Sequence, residues 1–502
     1  MERQSVRAIV LALVIVAALT GTLAAQTARP SQVVFARPTD ILTADPTVDA
    51  YGAQREVFVN VCDPLVAVAE GGKLEPRLAE SWKAEDPKTY VFKLRRGVRF
   101  HDGSPVTAED VKFTLERILD PKTKSNMAAD FVPVVASVDA PDPLTVRISL
   151  KVPLVPFINQ MPSVYVISKR AFESAGEREF GRKPICAGPY KLSEWLPNER
   201  IVLDAFDGYF RGAPKIRRLI FRPIPDPSAR VAALRAGEAD LVEGVPPDQI
   251  ALVERANNLQ IIATQSGAIQ FLLMNAFEDP FKNKRVRWAM NYAVDWDTVI
   301  KGVFGGYARK APSPILPFVF GYKPVVRYFY DPERAKRLLA EAGYPDGFTV
   351  VMETPSGRWS RDREMAQAIA GYLQQVGVKV EMRTFEWGEF LRRYRSKEPR
   401  LLVWNYRNIF FDFDDVGLHF EPDRRGWYWN HPQLTQMFAE ARNTIDQNRR
   451  KAVYSRAVDL IMEEAPWLFG VELETVYGRN RRLNWKPISG TWYVDFYGTS
   501  TQ

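Results

Sequence analysis

Residues 348–406 contain FTVVMET (348–354), RDREMAQAIAGYLQQVG (361–377), VKVEMRTF (378–385), WGEFLRRYRS (387–396) and LLVWNY (401–406). The first, third and fifth of these are short runs of strand length, and the second places Ala366, Ile369, Ala370 and Leu373 on one helical stripe. Upstream, Asp331-Pro332 opens another helix carrying Ala335, Leu338, Leu339 and Ala342, which ends at Gly343; Gly377 ends the next. The order is therefore β-α-β-α-β. Crossovers of this kind are right-handed and make the three strands parallel in a helix-covered sheet, so the fold class is α/β.

Ligands of open α/β sheets bind beyond the carboxyl ends of the strands. Three loops leave that edge: TPSGRWSRD (354–362), FEWGEF (385–390) and WNYRNIFFDFDD (404–415). Trp359, Trp387, Trp404 and Tyr406 are thus expected to converge on one rim as the wall of a pocket. Each ring supplies roughly 1 kcal/mol of stacking beyond its burial. The candidate ligand contacts are Trp404, Asn405, Tyr406, Arg407 and Asn408 on the strand end, with Arg358, Trp359 and Trp387 on the neighbouring loops.

Further out the pattern is equally regular. Tyr90, Phe92 and Leu94 alternate with Val91, Lys93 and Arg95, a strand with one buried face between the turn signals Asp86-Pro87 and Asp102-Gly103. Thr107 and Asp110 form a capping-box pattern ahead of a helix striped by Val111, Leu115 and Ile118. Residues 218–245 give a strand, a proline-rich turn, a helix from about Ser228 to Gly237 and a short strand.

Length suggests two or three domains for the 502 residues, and 46% hydrophobic with 25% charged residues is ordinary for a globular chain. The net charge of +8 is spread thinly. RRYR (392–395) and GRNRR (478–482) are local clusters without the density of a nucleic-acid groove, so no nucleic-acid partner is expected. Residues 1–25 have arginines at 3 and 7, an apolar core from Ala8 to Leu19 and small residues at Thr22, Ala24 and Ala25, the layout of a cleavable export signal. With no cysteine at the cleavage site, a lipid anchor is not expected. Export leaves Cys62 and Cys186 as either a disulfide or two buried thiols.

The three histidines, His101, His419 and His431, have no metal-ligand spacing, and no cofactor is implied. No H-E-x-x-H, C-x-x-C, G-x-S-x-G or P-loop motif occurs. Asp412, Asp414 and Asp415 leave open a glycosidase-type acid and base, hence a secreted carbohydrate-active enzyme as an alternative. A periplasmic chaperone is a third reading.

P-x-L-A-x-S-W (76–82), Y-x-F-x-L-R-x-G-V-x-F-H-D-G (90–103) and P-V-T-A-E-D-V (105–111) resemble the signature of bacterial ABC-transporter solute-binding proteins of the peptide/nickel class, family 5. AGPYKLSEWLPNERIVL (187–203), PDPSARVAALRAGEAD (225–240) and MNAFEDPFKNKRVRWAMNYAVD (274–295) extend the likeness over nearly the whole chain after the signal. The resemblance implies a type II-like periplasmic binding fold, two lobes joined by a hinge, with an extra domain in the N-terminal lobe. It implies residues 26–60, 181–274 and 466–502 in the first lobe, 61–180 in the extra domain and 275–465 in the second lobe. It also implies a non-enzymatic periplasmic monomer that closes over a ligand, with Tyr51 a contact from the first lobe, and delivers it to an inner-membrane ABC permease.

By the same resemblance, peptide-binding members hold the ligand's α-amino group with an aspartate soon after a G-W or similar pair on the strand matching LLVWNY. Here the counterpart is Arg407, between Asn405 and Asn408. Either Asp412 or Asp414 takes that role, or the ligand has no free amine there. Arg358 stands near the position of an arginine that some members use for the carboxyl end. The implied ligand is a peptide, an oligosaccharide or an anionic conjugate.

Overall fold

The computed structural model describes residues 31–422, 428–491 and 493–502; the export signal read in residues 1–25 lies outside the described residues. The deciding stretch folds as strands Phe348–Pro355, Val378–Phe385 and Leu401–Arg407 with helices Asp362–Gln375 and Trp387–Ser396. Phe348–Pro355 is the middle strand and runs parallel to both neighbours, with Phe348 opposite Val378 and Met352 opposite Leu401. The parallel arrangement expected from the β-α-β-α-β order is therefore present. Gly347 makes the turn into that strand at φ 77°, where a Cβ would lie 1.8 Å from the Gly377 carbonyl oxygen. Only glycine fits this approach.

The sheet continues from Leu401–Arg407 to Leu259–Met274, which pairs antiparallel with Trp467–Asn480. It then passes through Leu241–Glu243, Gln32–Arg37, Arg218–Pro223, Arg200–Ala205 and Tyr190–Leu196. The two long strands, 16 and 14 residues, are shared by both halves of the molecule. Their register breaks between Gln265 and Ile269, where Gly267 has φ 74°. A bulge bends a strand pair. It marks the bend between two separately packed lobes.

One large core is built mainly from residues 268–473 and the other from residues 33–221 with Leu483, Trp485, Val494 and Phe496. The fold is thus the mixed α/β, two-lobed, type II-like arrangement. A separate antiparallel sheet, Ala79–Asp86, Thr89–Leu94, Thr145–Leu150 and Val135–Asp142, belongs to the first lobe's core. Its alternation is the one read from sequence, with Tyr90, Phe92 and Leu94 buried. The adjoining helix Ala108–Leu119 starts with the expected capping box, in which the Thr107 amide donates to Asp110 Oδ2 at 2.9 Å. Cys62 and Cys186 are bonded, with Cα atoms 4.9 Å apart, and this settles the two alternatives left by the sequence. The bond fastens the helix Ala53–Val61 to the chain returning from this added layer.

Candidate ligand-binding cleft

The loops at the carboxyl ends of the parallel strands do meet. Ring centroids of Trp359 and Trp404 are 5.4 Å apart, Trp359 and Trp387 5.7 Å, and Trp387 and Trp404 6.4 Å. Helix Trp387–Ser396 adds Phe390 and Tyr394 to the same face, since i, i+3 and i+7 share a stripe. Tyr394 stacks on Trp404 at 3.8 Å. Much of this aromatic surface is therefore spent on ring-to-ring packing, and the three tryptophans are left half-buried. Tyr406 and Asn408 lie beneath the surface, where Asn408 Nδ2 donates to the Tyr406 hydroxyl at 2.9 Å. Asn405 is half-buried on the opposite strand face.

Arg407 and Arg358 are exposed. Yet burial among protein atoms lowers the Arg407 pKa, opposed by Glu243 and Glu56, and the neighbouring Arg358 charge lowers it further. Accessible area and crowding disagree here, and a cleft wall reconciles them: water reaches the side chain, but protein surrounds it. Arg358 also lies over the Trp387 ring at 5.0 Å. Opposite Arg407, the first lobe presents Glu56 from helix Ala53–Val61 and Glu243 from strand Leu241–Glu243. Both carboxyl pKa values are raised, first by burial, and the two side chains share a hydrogen bond. Arg37 pairs with Glu56 at 2.9 Å, so the guanidiniums of Arg37 and Arg407 both act on this pair of acids.

A second patch has the opposite sign. The Tyr51 hydroxyl donates to Asp130 Oδ2 at 2.8 Å, and its ring meets Phe410 of the second lobe edge-on at 6.4 Å. Asp415 approaches the same place from the second lobe and accepts from the Ile409 amide at 2.9 Å. Burial pushes its carboxyl up to about 7, with Asp130 adding to the rise and the Tyr406 and Ile409 hydrogen bonds opposing it.

The remaining candidate acids, Asp412 and Asp414, are engaged by groups of the second lobe. Asp412 accepts from Arg450 Nη1 at 2.7 Å and from the Tyr454 hydroxyl at 2.9 Å inside the second lobe. Asp414 is held by Arg442 at 2.7 Å, and the same guanidinium bridges to Glu421. Neither aspartate has the unpaired, separated geometry of a glycosidase acid and base. Sequence reasoning passed over Glu56, Glu243 and Asp130. The one local signal is helix Ala53–Val61, where Gln54, Arg55, Glu56 and Asn60 are all buried among Val57, Phe58 and Val61, an unusual polar load for a core helix.

A charged cleft between two lobes that share a bent pair of long strands defines a protein that captures a solute by closing on it. The chain belongs to the bacterial extracellular solute-binding proteins, family 5 (middle), matching residues 73–424. It is 30% identical over 481 residues to the glutathione-binding protein GsiB of Escherichia coli (strain K12), covering 90% of this chain and 91% of that one. GsiB of Pectobacterium atrosepticum is 32% identical over 434 residues, 82% of each chain. Among solved structures, the periplasmic binding protein DppA of Helicobacter pylori in complex with the peptide STSA matches with TM-score 0.77 and 27% identity, covering 94% of this chain and 98% of that one. HbpA2 of Haemophilus parasuis matches with TM-score 0.85 and 25% identity, covering 94% and 100%. The protein is accordingly a solute-binding component of an ABC importer.

Proposed function

We propose that the protein is an exported periplasmic monomer whose cleft takes a short, anionic, peptide-like ligand and hands it to an inner-membrane permease. The observation that carries this reading is that Arg358 and Arg407 both stand exposed at the carboxyl ends of the parallel strands, Arg358 over the Trp387 ring at 5.0 Å and near enough for its charge to act on Arg407. Like charges held together in a partly desolvated site favour a bound anion. The relatives named for glutathione and peptide binding support the same class. Trp359, Trp387 and Asn405 border the arginines, and Tyr51 stands at the neighbouring patch with Asp130 and Phe410. An oligosaccharide would rely on the tryptophans, whose faces are largely engaged with Tyr394, Phe390 and one another. A carbohydrate-active enzyme would need acids from the 412–415 cluster, and Asp412 and Asp414 are held in ion pairs.

Isothermal titration with glutathione, Gly-Gly-Glu and maltotriose tests the reading. At least one anionic peptide is expected to bind stoichiometrically without turnover. Arg407→Ala is expected to weaken it about 10- to 100-fold, the loss of a charge-assisted hydrogen bond. Binding of maltotriose alone, or unchanged peptide affinity in Arg407→Ala, contradicts the proposal.

A further inference from the structure

A second cavity, of about 230 Å³, lies within the second lobe. It sits against the far edge of the sheet, where Ala308–Lys310 pairs with Trp467–Asn480 and Lys310 stands opposite Val471. Two strands, Trp467–Asn480 and Leu259–Met274, separate this edge from Leu401–Arg407 and the cleft. The buried side chains of Trp296, Tyr328, Met462 and Phe469 make its walls apolar, and Val326 stands at its mouth, 90% exposed. The neutral polar groups of the wall are spent within the protein. The Tyr328 hydroxyl donates to the Met462 carbonyl at 2.6 Å, while the Asn291 side chain donates to the Arg287 and Trp467 carbonyls and accepts from the Phe469 amide. What the lining still offers is charge of one sign. Lys310 and Arg327 both line the cavity, and among the described residues no carboxylate does. Arg327 pairs with Glu463, which stands outside the lining. The Lys310 ammonium donates to the Tyr328 carbonyl oxygen, and the acids that act on it, Asp297 and Asp295, stand at the start of helix Trp296–Phe304, also outside the lining. Water reaches Lys310, yet burial among protein atoms lowers its pKa, and an adjacent anion would offset that cost.

We propose that this cavity is a second binding site, for a small aryl carboxylate whose ring lies among Trp296, Tyr328 and Phe469 and whose carboxylate meets Lys310 and Arg327. Size fits this class: an apolar cavity of about 150 Å³ takes benzene, so the space here holds a ring with a short acidic arm. Aromatic walls add edge and face contacts to the burial of such a ring. Other classes fit less well. A sugar would bury hydroxyls against groups that are already paired, and an amine would meet two like charges. The site is independent of the peptide reading, since none of its residues belongs to the cleft described above.

Isothermal titration of the full chain with 3-phenylpropionate and its neutral amide, 3-phenylpropanamide, tests the proposal. The acid is expected to bind one per chain and about tenfold or more tighter than the amide, the effect of a charge-assisted contact. Lys310→Met keeps the stem and removes the charge at an exposed position; it is expected to weaken the acid about tenfold and the amide less than about threefold. Val326→Glu, at the most exposed residue of the mouth, is expected to weaken the acid selectively by repulsion and leaves the folded interior untouched. Arg407→Ala disables the cleft and locates the probe: affinity for the acid should stay within about twofold if the probe occupies the second-lobe cavity. No saturable binding at millimolar concentration, equal binding of acid and amide, or an acid affinity unchanged in both Lys310→Met and Val326→Glu overturns the site. Loss of binding in Arg407→Ala in place of Lys310→Met puts the probe in the cleft and overturns it as well.

Discussion

Asp412 and Arg450 form a buried ion pair, Nη1 to Oδ2 2.7 Å, with side chains 1% and 5% exposed. The Arg450 guanidinium also lies over the Phe320 ring at 4.2 Å, and Tyr454 completes the acid's hydrogen bonds. Removing one partner of such a pair leaves an uncompensated charge in the interior. Asp412→Ala is therefore expected to destabilise the second lobe by about 3–5 kcal/mol, measured by urea denaturation. Affinity for an anionic peptide, measured well below the unfolding transition, should stay within threefold. Loss of binding with unchanged stability would instead make Asp412 a ligand contact.

Glu472 predicts a pH dependence. It lies 3% exposed on the shared strand Trp467–Asn480 and accepts from Gln265 Nε2 at 3.2 Å. Burial pushes its carboxyl from 4.5 up to about 7, against the pull of Arg309. The folded state then holds a proton that the unfolded state has released, so stability falls as pH rises between those values and levels off above them. At 1.36 kcal/mol per pH unit this is up to about 3 kcal/mol. Asp63 and Asp415, both raised to about 7, act in the same sense, while His101, lowered to about 4, acts in the opposite one. Denaturation of wild type and Glu472→Gln at pH 5 and 7.5 isolates the group: the variant should lose distinctly less stability over that interval. Parallel losses in the two proteins would refute it.

The Cys62–Cys186 bond spans a sequence separation of 124. Closing so long a loop constrains the unfolded chain, and the double Cys→Ser variant should lose about 2–5 kcal/mol. The same loss should follow reduction of the wild type during denaturation with dithiothreitol. A reduced protein as stable as the oxidised one would contradict the prediction.

The sequence shows its local structure more readily than its site. Helix Trp387–Ser396 and strand Val378–Phe385 begin and end where periodicity and glycine signals place them, because those boundaries are set by neighbouring residues. The long strands Leu259–Met274 and Trp467–Asn480 have no such local pattern. Both are buried along much of their length by partners distant in sequence. The tryptophan rim was legible because three parallel strands fix where three loops emerge. That Tyr394 would fill the space against Trp404 was not, since the helix face could have turned its rings toward solvent or sheet. Glu56, Glu243 and Arg407 come together only through the sheet order, and no spacing in the chain records that.

Native mass spectrometry tests the central claim most directly. The exported protein would be incubated with a pooled panel of di- and tripeptides including glutathione, and measured before and after denaturation. The account predicts one added small-molecule mass per chain, lost on denaturation and strongly reduced in Arg407→Ala. A chain that keeps its bare mass with the whole panel, or gains the same mass with and without Arg407, would contradict it.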